Sequence, residues 1–314
     1  MASLLPALAS KQEYSGLPFD RLEAWLPGVQ EILRSHRLSA TVIEPFADGE
    51  NPVFDLDGRW VLKLVPFFAA ESARRESMAL SWLAGKSTLP IPRLIGAGEL
   101  EGWSYLLCTR LPGIPLSRRW PSLDTAAQKA IARDVGASLA ELHAIPLGGE
   151  VAGGETGAAW RARRTAVWQT RRDVARLAPI LRDSALAYLE SVRLGQNDRS
   201  PVFLHGDLAP ENVLVADRDG VCRISGIFDF GNAFGGDAPF DFTAPTVLMA
   251  PGNRTIVGCF LEGYGWRSSS LEELRPQLMA YTLLHPMADL PDCLGLIPGL
   301  HEARSWEAVA EGFW

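Results

Sequence analysis

The chain has 314 residues, 47% of them hydrophobic and 21% charged, with a formal net charge of −7. That composition excludes a disordered chain, and the length leaves room for two substantial lobes sharing a cleft. The acidic balance argues against nucleic acid as the main partner and suits a small cationic molecule. Cys108, Cys222, Cys259 and Cys293 are scattered with no C-x-x-C spacing, so neither a disulfide framework nor a zinc site is expected. No apolar run is long enough to span a bilayer. The short apolar start is broken by Pro6 and lacks a basic leader, so the expectation is a cytoplasmic protein with no membrane partner.

Helical spacing over 19–37 puts Leu22, Trp25, Leu26, Val29, Ile32 and Leu33 on one side. Three strands follow at Thr41–Pro45, Pro52–Leu56 and Trp60–Val65, separated by Asp48-Gly49 and Asp57-Gly58 turns. The pattern over 71–84 predicts a helix, and Ile91–Leu94 and Trp103–Leu107 read as two more strands. Pro112-Gly113-Ile114-Pro115 marks a hinge, dividing the chain into units at 1–111 and 112–314. Beyond it the spacing turns helical over 124–144, after which come a Gly-rich link at 148–157 and Arg-rich helices over 158–194. Residues 254–285 are helical again. An antiparallel sheet with one key helix, followed by a mostly helical lobe, is an α+β plan.

Between these helical regions lies Phe203-Leu204-His205-Gly206-Asp207-Leu208-Ala209-Pro210-Glu211-Asn212, and seventeen residues past Asn212 stands Asp229-Phe230-Gly231. A hairpin, Val213–Ala216 and Val221–Ile227 closed by Asp217-Arg218-Asp219-Gly220, fills the gap. This is the layout that phosphoryl transfer requires. Asp207 is placed to meet a substrate hydroxyl, while Asn212 and Asp229 offer oxygens to Mg²⁺ on the phosphates of ATP. His205 braces the loop.

Lys63 lies mid-strand between apolar neighbours in a chain whose only other lysines are Lys11, Lys86 and Lys129. Its expected role is to neutralise nucleotide phosphates, positioned by Glu76 on the following helix, with Glu71 as the alternative partner. The loop Asp48-Gly49-Glu50-Asn51 is either a phosphate cover, with Asn51 adding a donor, or a plain hairpin turn. The Thr109 carbonyl and Leu111 N–H are the expected adenine contacts. Gly85-Lys86-Ser87-Thr88 imitates a P-loop, but Leu80 stands where its first glycine belongs, so it reads as a capped helix end. Asp237 and Asp241 either brace loops or face the acceptor.

The His205-Gly206-Asp207 and Asn212 motif, Ile227-Phe228-Asp229-Phe230-Gly231, Gly236-Asp237-Ala238-Pro239-Phe240-Asp241 and Leu142-His143-Ala144-Ile145-Pro146 together resemble the aminoglycoside phosphotransferase/choline kinase superfamily. The resemblance implies a bilobal, protein-kinase-like fold and an ATP- and Mg²⁺-dependent kinase acting on a small cationic acceptor as a monomer. Gly49–Val53, Ile91–Leu100 and Thr282-Leu283-Leu284-His285 look most like the hygromycin-B kinase branch. That branch carries an acidic run after its Leu-His pair, where this chain has Pro286-Met287-Ala288-Asp289. On this reading Asp237, Asp241, Glu262 and Asp289 are the candidate acceptor contacts. The alternatives are a kinase of the same fold for another antibiotic or metabolite, and an inactive nucleotide-binding module.

Overall fold

Residues 53–56 alternate half-buried and buried, and this period of two makes the segment the second strand (β2, Val53–Leu56) of a sheet with one covered face. The computed structural model describes residues 3–47, 49–148, 157–168, 171–194, 200–286 and 289–314. Asp48 of the expected turn, most of the Gly-rich link, residues 169–170 of the Arg-rich region and Met287-Ala288 lie outside the described residues. The chain divides into two units. The first comprises Met1–Ala84, Pro90–Leu111 and Phe230–Asn232; the second comprises Gly85–Leu89, Pro112–Asp229 and Ala233–Trp314.

The first unit runs α1 (Lys11–Tyr14), α2 (Leu26–Ser35), β1 (Ile43–Pro45), β2, β3 (Trp60–Pro66), α3 (Ala70–Leu83), β4 (Leu94–Leu100) and β5 (Trp103–Thr109). Its five strands are antiparallel in the order β1-β2-β3-β5-β4. Trp25 and, from α2, Val29, Ile32 and Leu33 bury themselves with Phe54, Leu56, Leu62, Leu64, Trp103 and Leu107. Each such side chain contributes about 1.5–3 kcal/mol on leaving water, which anchors α2 to the sheet.

Two expected boundaries move. The helix expected over 19–37 begins only at Leu26, after a short 3₁₀ turn at Leu22–Ala24. Pro27 has no N–H to donate and is tolerated only in a first turn, which fixes the start there. The strand expected at Ile91–Leu94 instead starts at Leu94 and continues through Gly96-Ala97-Gly98. Pro90 and Pro92 cannot feed a ladder, and the glycines are strand residues because the sheet is crowded there. A Cβ at Gly98 would lie 2.6 Å from the Tyr105 hydroxyl, and one at Gly96 would collide with the His36 ring.

The second unit holds β6 (Ile114–Pro115), α4 (Leu116–Arg119), α5 (Thr125–Ala144), α6 (Gly157–Trp168) and α7 (Pro179–Ser191). After them come β7 (Val202–Leu204), β8 (Val213–Arg218), β9 (Val221–Ile227) and β10 (Phe234–Gly236). It ends with α8 (Arg254–Tyr264), α9 (Leu271–Leu284), α10 (Leu290–Gly295) and α11 (Trp306–Phe313). The β8–β9 ladder extends to the Arg218–Val221 pair, so only Asp219-Gly220 form the turn. Both have positive φ, 53° and 76°, as a type I′ hairpin demands. The helix expected over 254–285 divides at Gly265, whose left-handed φ of 91° ends α8. Among the described residues no helix is long and apolar enough to cross a membrane.

Candidate active site

In the first unit, β3 pairs Lys63 with Val53 on one side and Leu106 on the other, which holds the lysine at the centre of the sheet. Its Nζ donates to Glu76 Oε2 at 2.9 Å. The two side chains are only 16% and 9% exposed, so water screens the pair little. Glu71, the alternative partner, is instead an exposed residue that pairs with Arg74 and Arg75. The helix carrying Glu76 also grips the glycine of the Asp-Phe-Gly motif. Arg75 Nη1 and Ser72 Oγ both donate to the Gly231 carbonyl, at 3.2 and 3.3 Å, and Phe230 is fully buried.

The Tyr14 hydroxyl donates to the Glu50 carbonyl at 2.6 Å and reaches the Asn51 side-chain oxygen at 3.1 Å. The N-terminal segment therefore fastens the loop that the sequence offered as a phosphate cover. Thr109 closes β5. Its N–H donates to the Arg93 carbonyl and its hydroxyl accepts from the Arg93 N–H, both at 2.9 Å. Leu111 is the last residue of the segment that ends this part of the unit.

In the second unit the loop after β7 is built around Asp241. Its buried carboxylate accepts from the backbone N–H groups of His205 at 2.7 Å and Gly206 at 2.8 Å, and from His143 Nε2 on α5 at 3.1 Å. None of the Asp241 side chain is exposed. Asp241 thus braces the loop, and the expectation that it contacts the acceptor is corrected: three internal donors occupy a carboxylate that cannot reach solvent. The His205 ring continues the brace. Its Nδ1 accepts from the Asp207 N–H at 3.3 Å, which leaves Nε2–H to donate to the Phe228 carbonyl at 3.1 Å. Complete burial lowers the His205 pKa and keeps the ring neutral, against the opposing pull of Asp241 and Asp229.

This bracing fixes the three motif side chains. Asp207 and Asp229 are half-buried. Asn212 Nδ2 donates to the Asp207 carbonyl at 2.9 Å, so its amide oxygen is the atom turned elsewhere. The Asn212 carbonyl accepts from the Phe228 N–H at 3.1 Å, which brings Asn212 alongside the residue before Asp229. Asp229 itself has φ of +66°, a left-handed conformation rare outside glycine and typical of residues whose orientation matters more than local strain. One amide oxygen and one carboxylate suit Mg²⁺, which takes few protein oxygens and completes its shell with water and phosphate. Among the described residues no cluster of three or more His, Cys, Asp or Glu could hold a metal without such help.

Asp207 opens into a pocket of about 200 Å³ within the second unit. Thr243, Thr282, His285, Asp289 and Asp292 line it beside Val247, Leu248 and Leu296, and most of its surface is apolar. Asp289 also caps α10, accepting from the Asp292 N–H at 3.2 Å. The His285 ring stacks on Phe240 with centroids 5.0 Å apart, and burial pushes its pKa down to about 4. Two further expected acceptor contacts do not line this pocket. Asp237 accepts a 2.6 Å hydrogen bond from the Tyr281 hydroxyl, and Glu262 pairs with Arg133 at 3.2 Å on the exposed side of α8. Asp292 and Thr243, which the sequence reading did not single out, also line the pocket. The Asp289-Leu-Pro-Asp292 stretch was a readable helix start, with an N-cap acid and proline in the first turn.

The profile of the phosphotransferase enzyme family matches residues 42–292. An aminoglycoside 3'-phosphotransferase of Streptomyces fradiae is 29% identical over 194 residues, 58% of this chain and 60% of that protein. Its counterpart in Streptomyces ribosidificus is 28% identical over 182 residues, 58% of this chain and 61% of that protein. The matched stretch therefore spans about three fifths of these relatives. Among solved structures, aminoglycoside 2'-phosphotransferase-IIIa in complex with GDP superposes with a TM-score of 0.69 at 17% identity, covering 90% of this chain and 97% of the other. The APH(2")-IIIa complex with GDP and kanamycin gives 0.67 at 17% identity, covering 90% and 98%. APH(3'')-Id from Streptomyces rimosus, in complex with ADP and streptomycin, gives 0.62 at 21% identity, covering 84% and 98%. The α+β, protein-kinase-like fold expected from the motifs is the fold of these structures.

Proposed function

Because this chain belongs to the phosphotransferase enzyme family, we propose that it transfers the γ-phosphoryl group of ATP to a hydroxyl of an aminoglycoside, conferring resistance. The observation that carries this reading is the pocket that joins Asp207 to Asp289 and Asp292. Its lining brings together one carboxylate for the hydroxyl and two for a cation. The relatives named as aminoglycoside phosphotransferases and the kanamycin and streptomycin complexes support the same acceptor class. Hygromycin B is the favoured acceptor, from the sequence stretches that resemble its kinases.

In this reading Asp207 aligns the acceptor hydroxyl and takes up its proton as the oxygen attacks the γ-phosphorus. Lys63, held by Glu76, neutralises the nucleotide phosphates, while Asn51, Thr109 and Leu111 contact the nucleotide. Asn212 and Asp229 hold Mg²⁺, which when bound offsets charge on the phosphates. Asp289 receives an ammonium group of the acceptor. Neutral His205 and buried Asp241 take no proton from the substrate; they keep Asp207 in place.

The test is an ADP-release assay with hygromycin B, kanamycin and streptomycin, repeated with Asp207→Ala. Turnover of at least one acceptor is expected. The variant should lose a factor of about 10²–10⁴ in kcat while still binding nucleotide. Full activity in the variant would reject the role of Asp207, and turnover of none of the acceptors would reject the substrate class.

A further inference from the structure

The two acids at the α10 end of the pocket already hold a cation supplied by the protein. Arg176 Nη1 lies 3.0 Å from Asp289 Oδ2 and Arg176 Nη2 lies 2.6 Å from Asp292 Oδ1. One guanidinium thus bridges both carboxylates. The placement is built into the fold. Arg176 ends a 3₁₀ turn, Asp173–Arg176, whose Asp173 accepts from the Leu290 N–H at the start of α10. Asp173 is in turn held by Arg171 at 2.6 Å, in a pair that is 11% and 15% exposed. The turn is therefore fastened to α10, while the Arg176 side chain, 56% exposed, can swing into water.

We propose that Arg176 is a specificity-determining residue. Its guanidinium pairs with the two acids from outside the pocket lining, competes there with an ammonium group of the acceptor and is displaced when the acceptor binds. The proposal rests on the aminoglycoside reading of the pocket. With Arg176 in place, the Asp289–Asp292 end carries one net negative charge instead of two. An acceptor gains there only if its own cation fits the pocket better than Arg176 does. Ion pairs this exposed are weak, so the exchange is feasible, and strongly charged acceptors are favoured over those with a single amine.

The experiment compares wild type, Arg176→Ala and Arg176→Lys. Each is assayed at low and high salt with an aminoglycoside that wild type phosphorylates, and with its N-acetylated, uncharged form. Acceptor binding is followed in parallel by calorimetry, and folding by thermal melts. For the cationic acceptor, Arg176→Ala should lower KM by about three- to tenfold, two exposed ion pairs no longer having to be broken. Its salt dependence should steepen, and Arg176→Lys should fall between. The N-acetylated acceptor should show no change in KM. An unchanged or raised KM for the cationic acceptor would overturn the proposal, as would equal shifts for both acceptors, which would mark Arg176 as a purely structural support of α10. If wild type neither binds nor phosphorylates any aminoglycoside, the functional reading itself fails and the proposal falls with it. If wild type is active but KM does not fall in Arg176→Ala, only the role of Arg176 is rejected.

Discussion

Lys63 Nζ lies 2.9 Å from Glu76 Oε2, joining the central strand of the first sheet to α3. Because both side chains are largely buried, neither charge is well solvated without the other. The ion pair therefore fixes where the ammonium points.

Glu76→Gln should raise KM for ATP about tenfold or more. A hydrogen bond to a charged group is worth about 1.5–3 kcal/mol, and each 1.4 kcal/mol is a factor of ten. Acceptor KM should stay within twofold. Initial rates at varied ATP and saturating acceptor check this, and an unchanged ATP KM would detach Glu76 from nucleotide binding.

Asp241→Asn should lower stability by about 1–3 kcal/mol and kcat by tenfold or more. An amide keeps one acceptor oxygen but turns an NH₂ toward donors that Asp241 now satisfies, and an orphaned buried donor costs that much. Urea denaturation and steady-state kinetics measure the two effects. A raised acceptor KM with no loss of stability would restore Asp241 as an acceptor contact.

Tyr14→Phe removes the hydroxyl that fastens Glu50 and Asn51 while keeping the ring against Phe19, Phe68 and Trp103. A net hydrogen bond is worth about 0.5–1.5 kcal/mol, so nucleotide KM should rise two- to tenfold with acceptor KM unchanged. Equal nucleotide KM in both proteins would show that the N-terminal segment serves stability alone.

The pKa of His285, about 4 in the folded chain, is held below the ordinary 6.5 chiefly by burial, with Asp241 opposing and Arg164 and Arg171 adding to the shift. The unfolded chain takes up this proton at higher pH than the native one. Stability is therefore fully present above about pH 6.5 and is lost as pH falls toward 4, by up to about 3 kcal/mol from this group. His285→Gln should flatten the slope of unfolding free energy between pH 6.5 and 4.5. Identical slopes in the variant and wild type would count against a buried neutral imidazole.

The residues of the proposed site could be named from the sequence because their spacing is local. His205 to Asn212 and the Asp-Phe-Gly at 229–231 are related by short spacing across one hairpin, and Lys63 stood out in a lysine-poor chain. Element boundaries were readable except where prolines and glycines carried two meanings, as at Pro27, at Gly96-Ala97-Gly98 and at Gly265. The roles of the remaining acids were not legible. Asp237, Asp241, Glu262 and Asp289 are alike in sequence, yet one meets a tyrosine, one is buried under three donors, one pairs at the surface and one lines a pocket. What a carboxylate does depends on which donors, cations and water surround it, and those come from segments far apart along the chain. The sequence by itself singled out the residues proposed for phosphoryl transfer; only the tertiary structure decided that Asp241 is a brace and that Arg176 sits on the acids of the pocket.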